Sequence, residues 1–336
     1  MRGRKQILKL WDPGKLTLHS RNRLAAEVPG LSGSARCKIP FTVLVGGVRK
    51  PRLLVVAGVH GDEYEGVAAL HDLLGEIDPS KLRGILTILP VANPQAFYAG
   101  TRLNPVDAGD LNRGFPGNPR GTQTDRLAHA LFYGIVLEHD CLLSMHCWSK
   151  EATVIPYVEY PSGRSSVSRR SQAAARALGL EFMHPYEWPK GVLGEAGVKC
   201  GVPCIEPEVG GRGMLTPGGN RVYKSIVYRL LLHLQMYKPA DTCMEPAYPR
   251  PKVVSHADVF ANYAGLFRSQ VKVGDTVLAG QVLGITSDLS GERLEEIRAP
   301  EAGTVAILRT FASVQPGNRL IQIFQTSKAV RRPRLA

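Results

Sequence analysis

Short apolar segments alternate with helical patterns along most of the first 240 residues. Each apolar segment has the length of a strand and is rich in β-branched residues; together they cover residues 41–45, 53–59, 85–92, 141–146, 152–158 and 202–208. Between and after them, apolar residues recur at helical spacing in segments 63–76, 124–138, 165–178 and 220–237. This alternation predicts an α/β fold, with a mainly parallel mixed sheet and helices on both faces. Functional residues then belong at the carboxyl ends of the strands.

Two of the predicted strands end at a histidine. His60 and Glu63 follow segment 53–59 in the sequence His-Gly-Asp-Glu, and segment 141–146 ends at His146. A catalytic zinc ion binds three protein side chains through nitrogen and oxygen and leaves a fourth position for water. We therefore predict one zinc ion per chain, bound by His60, Glu63 and His146. Cys147 is not expected as a ligand beside His146, because adjacent strand residues point to opposite faces.

A His-x-x-Glu pair alone is as typical of polar residues at a strand end as of a metal site, but further motifs accompany it. They are Asn93-Pro94, Gly100-Thr-Arg102, Asp110-Leu-Asn-Arg-Gly-Phe-Pro-Gly117 and Glu206-Pro-Glu-Val-Gly-Gly211. Taken in this order, the motifs resemble the succinylglutamate desuccinylase and aspartoacylase family of the zinc carboxypeptidase clan. The resemblance extends from about residue 53 to about residue 324. It implies a zinc carboxypeptidase-like fold and an enzyme that hydrolyses an amide.

The resemblance also implies a general base. A bound zinc ion lowers the pKa of water and polarises a carbonyl, so that a carboxylate need only accept the water proton and pass it to the departing amine. Glu208 matches the catalytic glutamate of the family, because two glycines follow it in Glu-Val-Gly-Gly. Glu206 remains the alternative, since residues two apart on a strand point to the same face.

Three further residues match substrate-binding positions of the family. Arg113, together with Asn112, matches the pair that binds a substrate carboxylate, for which the planar guanidinium is well suited. Arg102 matches an arginine that stabilises the developing oxyanion and contacts the substrate. An isolated arginine in a loop is more typical of a surface salt bridge, but Arg113 lies within the longer matching motif.

The chain departs from the family pattern at two places. Many members have an aspartate two residues before the second histidine, where this chain has Ser144, and the change predicts weaker support for the metal. The stretch between Arg102 and Arg113 is longer than in aspartoacylase-type members. It resembles the branch that includes deacetylases of N-acetylated diamino acids.

The composition changes after the last predicted helix. Residues 238–252 are rich in proline and predict a linker, and short strands separated by glycine turns follow it. Segments 271–284, 297–305 and 314–321 resemble the small β-barrel of biotinyl and lipoyl carrier domains, but 284–298 contains no lysine to modify. We predict a hydrolase domain at 1–240 with an N-terminal β extension at 1–48, a linker at 241–255, a β domain at 256–326 and a basic tail at 327–336. In the resembled family such a β domain narrows access to the active site.

Charge and cysteine content limit the partners and the compartment. The net charge of +13 suits anionic small molecules or nucleic acid, but no nucleic-acid motif is present and the basic residues cluster near the termini and in 164–176. No stretch approaches the roughly 18 apolar residues of a membrane span. Six cysteines without a Cys-x-x-Cys motif predict free thiols and a cytoplasmic protein. A homo-oligomer is compatible with the sequence.

These observations predict a zinc-dependent amidohydrolase that removes the acyl group from an N-acyl amino acid or a similar small carboxylate. A carboxypeptidase-like metallopeptidase is the nearest alternative, because it uses the same metal chemistry on a peptide. A non-catalytic, metal-dependent binding module is the alternative from another class.

Overall fold

The computed structural model describes residues 11–28, 38–240 and 244–326. The helices are α1 (Glu65–Glu76), α2 (Pro94–Ala99), α3 (Leu111–Gly114), α4 (Gln123–Gly134), α5 (Ser166–Ala177), α6 (Leu193–Lys199) and α7 (Pro217–His233). The first eight strands are β1 (Ser20–Glu27), β2 (Lys38–Val45), β3 (Arg52–Val56), β4 (Ile85–Leu89), β5 (Cys141–Ser144), β6 (Ala152–Pro161), β7 (Phe182–Tyr186) and β8 (Cys204–Gly211). The later strands are β9 (Lys252–Phe260), β10 (Gly265–Ser269), β11 (Thr276–Val277), β12 (Val282–Ser287), β13 (Arg293–Arg298), β14 (Gly303–Arg309), β15 (Ser313–Val314) and β16 (Arg319–Thr326).

Twelve strands form one mixed sheet in the order β1-β2-β4-β3-β5-β8-β6-β7-β9-β16-β14-β11. Its centre, β4-β3-β5-β8, is parallel, whereas β2 runs antiparallel to β4 and β6 runs antiparallel to β8. The predicted mixed α/β sheet is therefore confirmed, but it is not mainly parallel as predicted. Five of its strand pairings are parallel and seven are antiparallel, because the N-terminal strands and most C-terminal strands join it by antiparallel pairing. This central part aligns the carboxyl ends of β3, β5 and β8 at one edge.

Helices cover both faces of the central strands. Leu53 and Val55 pack on one side with α1, α5 and α7, whereas Leu54 and Val56 pack on the other with α4 and α6. A strand that is buried on both faces has apolar residues at every position, which explains why the sequence of β3 is apolar without interruption at residues 53–56. The stripe of α7 is part of this core, as its spacing indicates: Ile226, Val227, Leu230 and Leu231 are fully buried.

Strands from before and after the proline-rich segment form a closed ring of five. The neighbours run β6-β7-β9-β16-β14, and β14 pairs back with β6 through contacts such as Ile307 with Val154. Tyr157 and Phe324 meet at 5.0 Å between ring centroids inside this barrel. A separate four-stranded sheet, β13-β12-β10-β15, completes the C-terminal part. The domain boundaries and the linker stay predictions, and the basic residues of 1–10 and 327–336 lie outside the described residues.

The sequence patterns missed several short elements. β7 mixes Phe182 and Met183 with His184 and Pro185, so that no alternation of period two marks it as a strand. Helices α2, α3 and α6 have seven residues or fewer, which is too short for a helical period to emerge. Among the described residues, no helix is long and apolar enough to cross a membrane. Cys141, Cys147, Cys200 and Cys204 are free thiols, as predicted.

A buried histidine links α4 to the sheet. Nδ1–H of His139 donates to the carbonyl of Ile135 at 2.8 Å, and Nε2 accepts from the hydroxyl of Thr87 at 2.7 Å. Burial lowers the pKa of His139 from 6.5 to about 4. Both nitrogens are therefore satisfied by the neutral ring.

We expect this histidine to make stability depend on pH. The unfolded chain takes up its proton near pH 6.5 and the folded chain only near pH 4, so the free energy of unfolding falls as the pH falls through that window. The contribution of His139 between pH 7 and pH 5 is about 2 kcal/mol. Urea unfolding of the native protein and of His139→Gln at both pH values should show a smaller difference in the variant. Equal differences would contradict the assignment.

Candidate active site

Three buried side chains converge at the carboxyl ends of β3 and β5. Nδ1 of His60 lies 2.8 Å from Oε1 of Glu63, and Nδ1 of His146 lies 3.0 Å from Oε2 of the same carboxylate. One ligand atom from each of the three residues lies within 4.8 Å of the others. The structure thus brings together the three residues that the sequence predicts as metal ligands.

The charges within this cluster fit a cation. Burial alone would raise the pKa of Glu63, but the two imidazoles outweigh it and hold that pKa well below its usual value. Two imidazole nitrogens and one carboxylate are the donor set of a catalytic zinc site, and the cluster faces the pocket described below. The residues present therefore fit a zinc ion.

Outer partners orient both histidines. The hydroxyl of Ser144 lies 3.0 Å from Nε2 of His146, and Oδ1 of Asp110 lies 3.4 Å from Nε2 of His60. Each histidine can thus turn its Nδ1 toward the centre of the cluster while its Nε2 faces a polar partner. Ser144 takes the position at which many family members have aspartate, and its hydroxyl still contacts the histidine. The role of Asp110 was missed by the sequence analysis, although its motif was recognised.

A glycine lets the ligand loop approach α2. The amide of Gly61 donates to the carbonyl of Thr101 at 3.0 Å. A Cβ at position 61 would lie 1.9 Å from the carbonyl carbon of Ala96, which no side-chain movement could relieve. The glycine between His60 and Glu63 is therefore required by backbone packing.

Two carboxylates of β8 line the same pocket. Glu208 accepts a hydrogen bond from the amide of Trp148 at 3.1 Å, and Glu206 accepts one from the amide of Gly194 at 3.1 Å. Burial raises the pKa of Glu208 well above its usual value, with the charge of Glu63 adding to the effect. Burial also raises the pKa of Glu206 to about 7. Both side chains share one face of the strand, as residues two apart must.

The predicted arginines also line the pocket. Arg102 donates to Asp110 through Nε at 3.2 Å and Nη2 at 3.1 Å, and its Nη1 lies 3.9 Å from Oε1 of Glu63. Oδ1 of Asn112 accepts from the amide of Leu193, so its amide group remains to donate into the pocket. Nη1 of Arg113 donates to the carbonyl of Asn112 at 2.7 Å. Arg102 is thus next to the ligand cluster, and Arg113 and Asn112 form a second donor group.

The pocket has a volume of about 310 Å³ and contains residues that the sequence patterns did not indicate. They include Trp148, Glu159, His184, Tyr186, Arg319 and Gln322. Arg319 and Gln322 come from β16, and the Arg319 guanidinium lies 5.1 Å from the centre of the Trp148 ring. The C-terminal strands therefore form part of the pocket wall, as the family resemblance implies.

Comparison of the sequence with known protein families identifies the family of this chain. Residues 49–234, more than half of the chain, match the succinylglutamate desuccinylase/aspartoacylase catalytic domain. The chain belongs to this family. A curated relative from Halomonas elongata, N-alpha-acetyl-L-2,4-diaminobutyric acid deacetylase, is 30% identical over 298 residues, which is 87% of each chain. The chain is thus similar, over most of its length, to a deacetylase of a small acylated amino acid.

Solved structures of the family have the same fold. A succinylglutamate desuccinylase/aspartoacylase from Rhodobacter sphaeroides superposes with a TM-score of 0.85 at 27% identity, covering 96% of this chain and 99% of the other. The product-bound ectoine utilization protein EutE (DoeB) from Ruegeria pomeroyi gives 0.83 at 26% identity, covering 93% and 98%. The chain therefore has the desuccinylase/aspartoacylase fold along nearly its whole length, including the strands that follow the catalytic domain.

Proposed function

We propose that this protein is a zinc-dependent deacylase that hydrolyses the amide of an N-acyl amino acid. The observation that carries the proposal is the cluster of His60, Glu63 and His146, which faces a pocket containing Glu208 and Arg113. A zinc ion bound by the cluster supplies the Lewis acidity that activates water and polarises the acyl carbonyl. All other functions in the reaction fall to side chains of the pocket.

Glu208 has the general-base role in this proposal. Its carboxylate is fixed by the amide of Trp148 and lies in the pocket with the ligand cluster, where it can accept the proton of the attacking water. It then donates that proton to the nitrogen of the leaving amine as the C–N bond breaks. Glu206, which accepts from Gly194, is assigned to substrate binding rather than to proton transfer.

The arginines contact two groups of the substrate, the α-carboxylate and the acyl oxygen. Arg113, with the amide group of Asn112, binds the α-carboxylate, because a guanidinium can donate two parallel hydrogen bonds to its oxygens. Arg102, next to Glu63 and fixed by Asp110, stabilises the negative charge that develops on the acyl oxygen. These positions orient the scissile amide toward Glu208.

The size of the pocket favours a small substrate. A volume of about 310 Å³ lies at the lower end of the roughly 300–1,000 Å³ typical of small-molecule sites. The name of the Halomonas elongata relative, an acetyl-diaminobutyric acid deacetylase, supports a small N-acetylated amino acid as the substrate. A carboxypeptidase-like activity would need space for a peptide on both sides of the cleaved bond.

The test is a paired measurement of metal and activity. The zinc content of the purified protein is measured by mass spectrometry. Amine release is measured with N-acetyl, N-succinyl and N-formyl amino acids, and unmodified dipeptides serve as comparison substrates for a peptidase. We expect close to one zinc ion per chain and release of the free amine from an N-acyl amino acid. Zinc that fails to bind even after it is resupplied would overturn the metal site. Release from dipeptides alone would favour the peptidase.

A further inference from the structure

One wall of the pocket carries two facing carboxylates that the proposed reaction does not need for proton transfer. Glu159 of β6 lies directly opposite Glu206 of β8 in the antiparallel register, and both line the pocket. Like charges opposite each other on neighbouring strands repel, and burial strengthens the repulsion. Burial, with the charge of Glu159 adding to it, raises the pKa of Glu206 to about 7, and a cation lying against the pair favours its fully ionised form.

The contacts of these carboxylates within the protein are mainly neutral. Glu159 accepts from Nε1 of Trp188 at 3.0 Å and from the hydroxyl of Tyr157 at 3.4 Å, whereas Glu206 accepts from the amide of Gly194. Each carboxylate retains lone pairs for further donors. Across the described ranges 11–28, 38–240 and 244–326, no lysine or arginine forms an ion pair with either carboxylate.

Of the pocket arginines, Arg102 and Arg319 pair with other acids, whereas the charge of Arg113 favours the ionised form of Glu206. Arg102 binds Asp110 at 3.1 Å, and Nε of Arg319 lies 3.1 Å from Oδ1 of Asp258. The charges of the Glu159 and Glu206 wall are therefore not neutralised by Arg102 or Arg319.

A buried histidine beside this wall has an unpaired nitrogen. His184 is 3% exposed and lines the pocket, and its Nδ1 lies 3.7 Å from Oε1 of Glu159 without a hydrogen-bond partner. Its other nitrogen, Nε2, lies 2.9 Å from Nδ1 of His256. A buried polar atom that lacks a partner indicates space for a ligand group with hydrogen-bonding atoms. The carboxylates beside it specify that this group is positively charged.

We propose that Glu159 and Glu206 bind the free side-chain ammonium of an N-acylated diamino acid. The inference rests on the proposed deacylase function and names the substrate class of the same pocket. Glu159 and Glu206 contact the ammonium directly, and the unpaired nitrogen of His184 completes its surroundings. Arg113 binds the α-carboxylate of the same molecule, so that the substrate is held by its two charged ends.

The spacing along β8 limits the length of the substrate side chain. Glu206 and Glu208 are two residues apart on one face, which separates their Cα atoms by about 6.6 Å. In an extended 2,4-diaminobutyrate the two nitrogens are roughly 5 Å apart, as follows from the four C–C and C–N bonds between them. One molecule can therefore present its scissile amide to Glu208 and its ammonium to Glu206 and Glu159.

The test compares two substrates of equal shape on one protein sample. Nα-acetyl-2,4-diaminobutyrate carries an ammonium where Nα-acetylnorvaline carries a methyl group. We expect the native, zinc-loaded protein to favour the charged substrate by about 100-fold in kcat/KM, the effect of one or two charge-assisted hydrogen bonds. Glu159→Gln and Glu206→Gln should each reduce this ratio at least tenfold. The ratio does not depend on the folded fraction, because both rates come from the same sample.

Glu151→Gln is the matched control, since Glu151 is another carboxylate of the pocket that has no role in the proposed reaction and lies outside the facing pair. It should keep the preference for the charged substrate. Equal rates on both substrates by the native protein, or an unchanged ratio in Glu159→Gln, would overturn the ammonium site and leave the deacylase function standing. Absence of amine release from both substrates, with zinc bound, would overturn this site together with N-acetyl amino acid hydrolysis.

Discussion

Substitution of Glu208 by glutamine is expected to lower kcat by roughly 10²- to 10⁴-fold, the usual contribution of a general base. Glutamine has the same shape and can still accept the hydrogen bond from Trp148, which the carboxylate accepts at 3.1 Å. It cannot accept a proton from water at neutral pH. The zinc content should therefore stay at the native level while turnover on Nα-acetylnorvaline falls, as measured by metal analysis and amine release on the same sample.

Glu206→Gln is the matched comparison for this variant, because both residues lie on the same face of β8 and line the same pocket. On a substrate without a side-chain charge, we expect a loss smaller than tenfold. A larger loss in Glu206→Gln than in Glu208→Gln would reverse the two roles and make Glu206 the base.

Substitution of Glu63 by glutamine is expected to abolish zinc binding together with activity. The carboxylate lies between the two imidazoles, at 2.8 Å from His60 and 3.0 Å from His146, and its negative charge is what offsets the charge of a bound ion. The loss in zinc affinity should exceed the roughly 10- to 100-fold caused by removing a partner outside the ligand set. Titration of the metal-free protein with zinc, followed by calorimetry, measures this difference.

Asp62→Asn provides the control for charge in the same loop. Asp62 is also buried, and its Oδ2 accepts from the amide of Lys150 at 3.2 Å, but it does not belong to the ligand cluster. Its variant should bind zinc within about tenfold of the native affinity. Native zinc affinity in Glu63→Gln would contradict the proposed ligand set. Equal losses of zinc affinity in Glu63→Gln and Asp62→Asn would show that the negative charge of the loop, rather than coordination by Glu63, determines zinc binding.

The cluster of His60, Glu63 and His146 was predictable because it depends on local patterns. Each ligand follows a strand that the apolar sequence marks, and parallel neighbours place their carboxyl ends together. His60 and His146 could therefore be paired before their distance was known. Ser144 departs from the family pattern and predicts weaker support for the metal, and only the structure shows that its hydroxyl lies 3.0 Å from the histidine ring.

The far wall of the pocket was not predictable in the same way. His184 lies on β7, which has no alternating pattern, and Arg319 lies on β16, more than a hundred residues later. Their meeting depends on the closure of the barrel through the pairing of β14 with β6. Such long-range register is set by packing between distant segments, and no local period in the sequence records it.

The closed barrel also makes the order of synthesis matter. A ribosome releases the chain from its N-terminus, so the central parallel strands and all three ligands emerge long before β14 and β16. Until those strands arrive, β6 lacks one of its partners and the pocket lacks Arg319 and Gln322. A nascent chain can thus contain the ligand cluster together with Glu159 and Glu206 while the part of the pocket formed by β16 is still missing. The pocket is therefore complete only after β16 has been made.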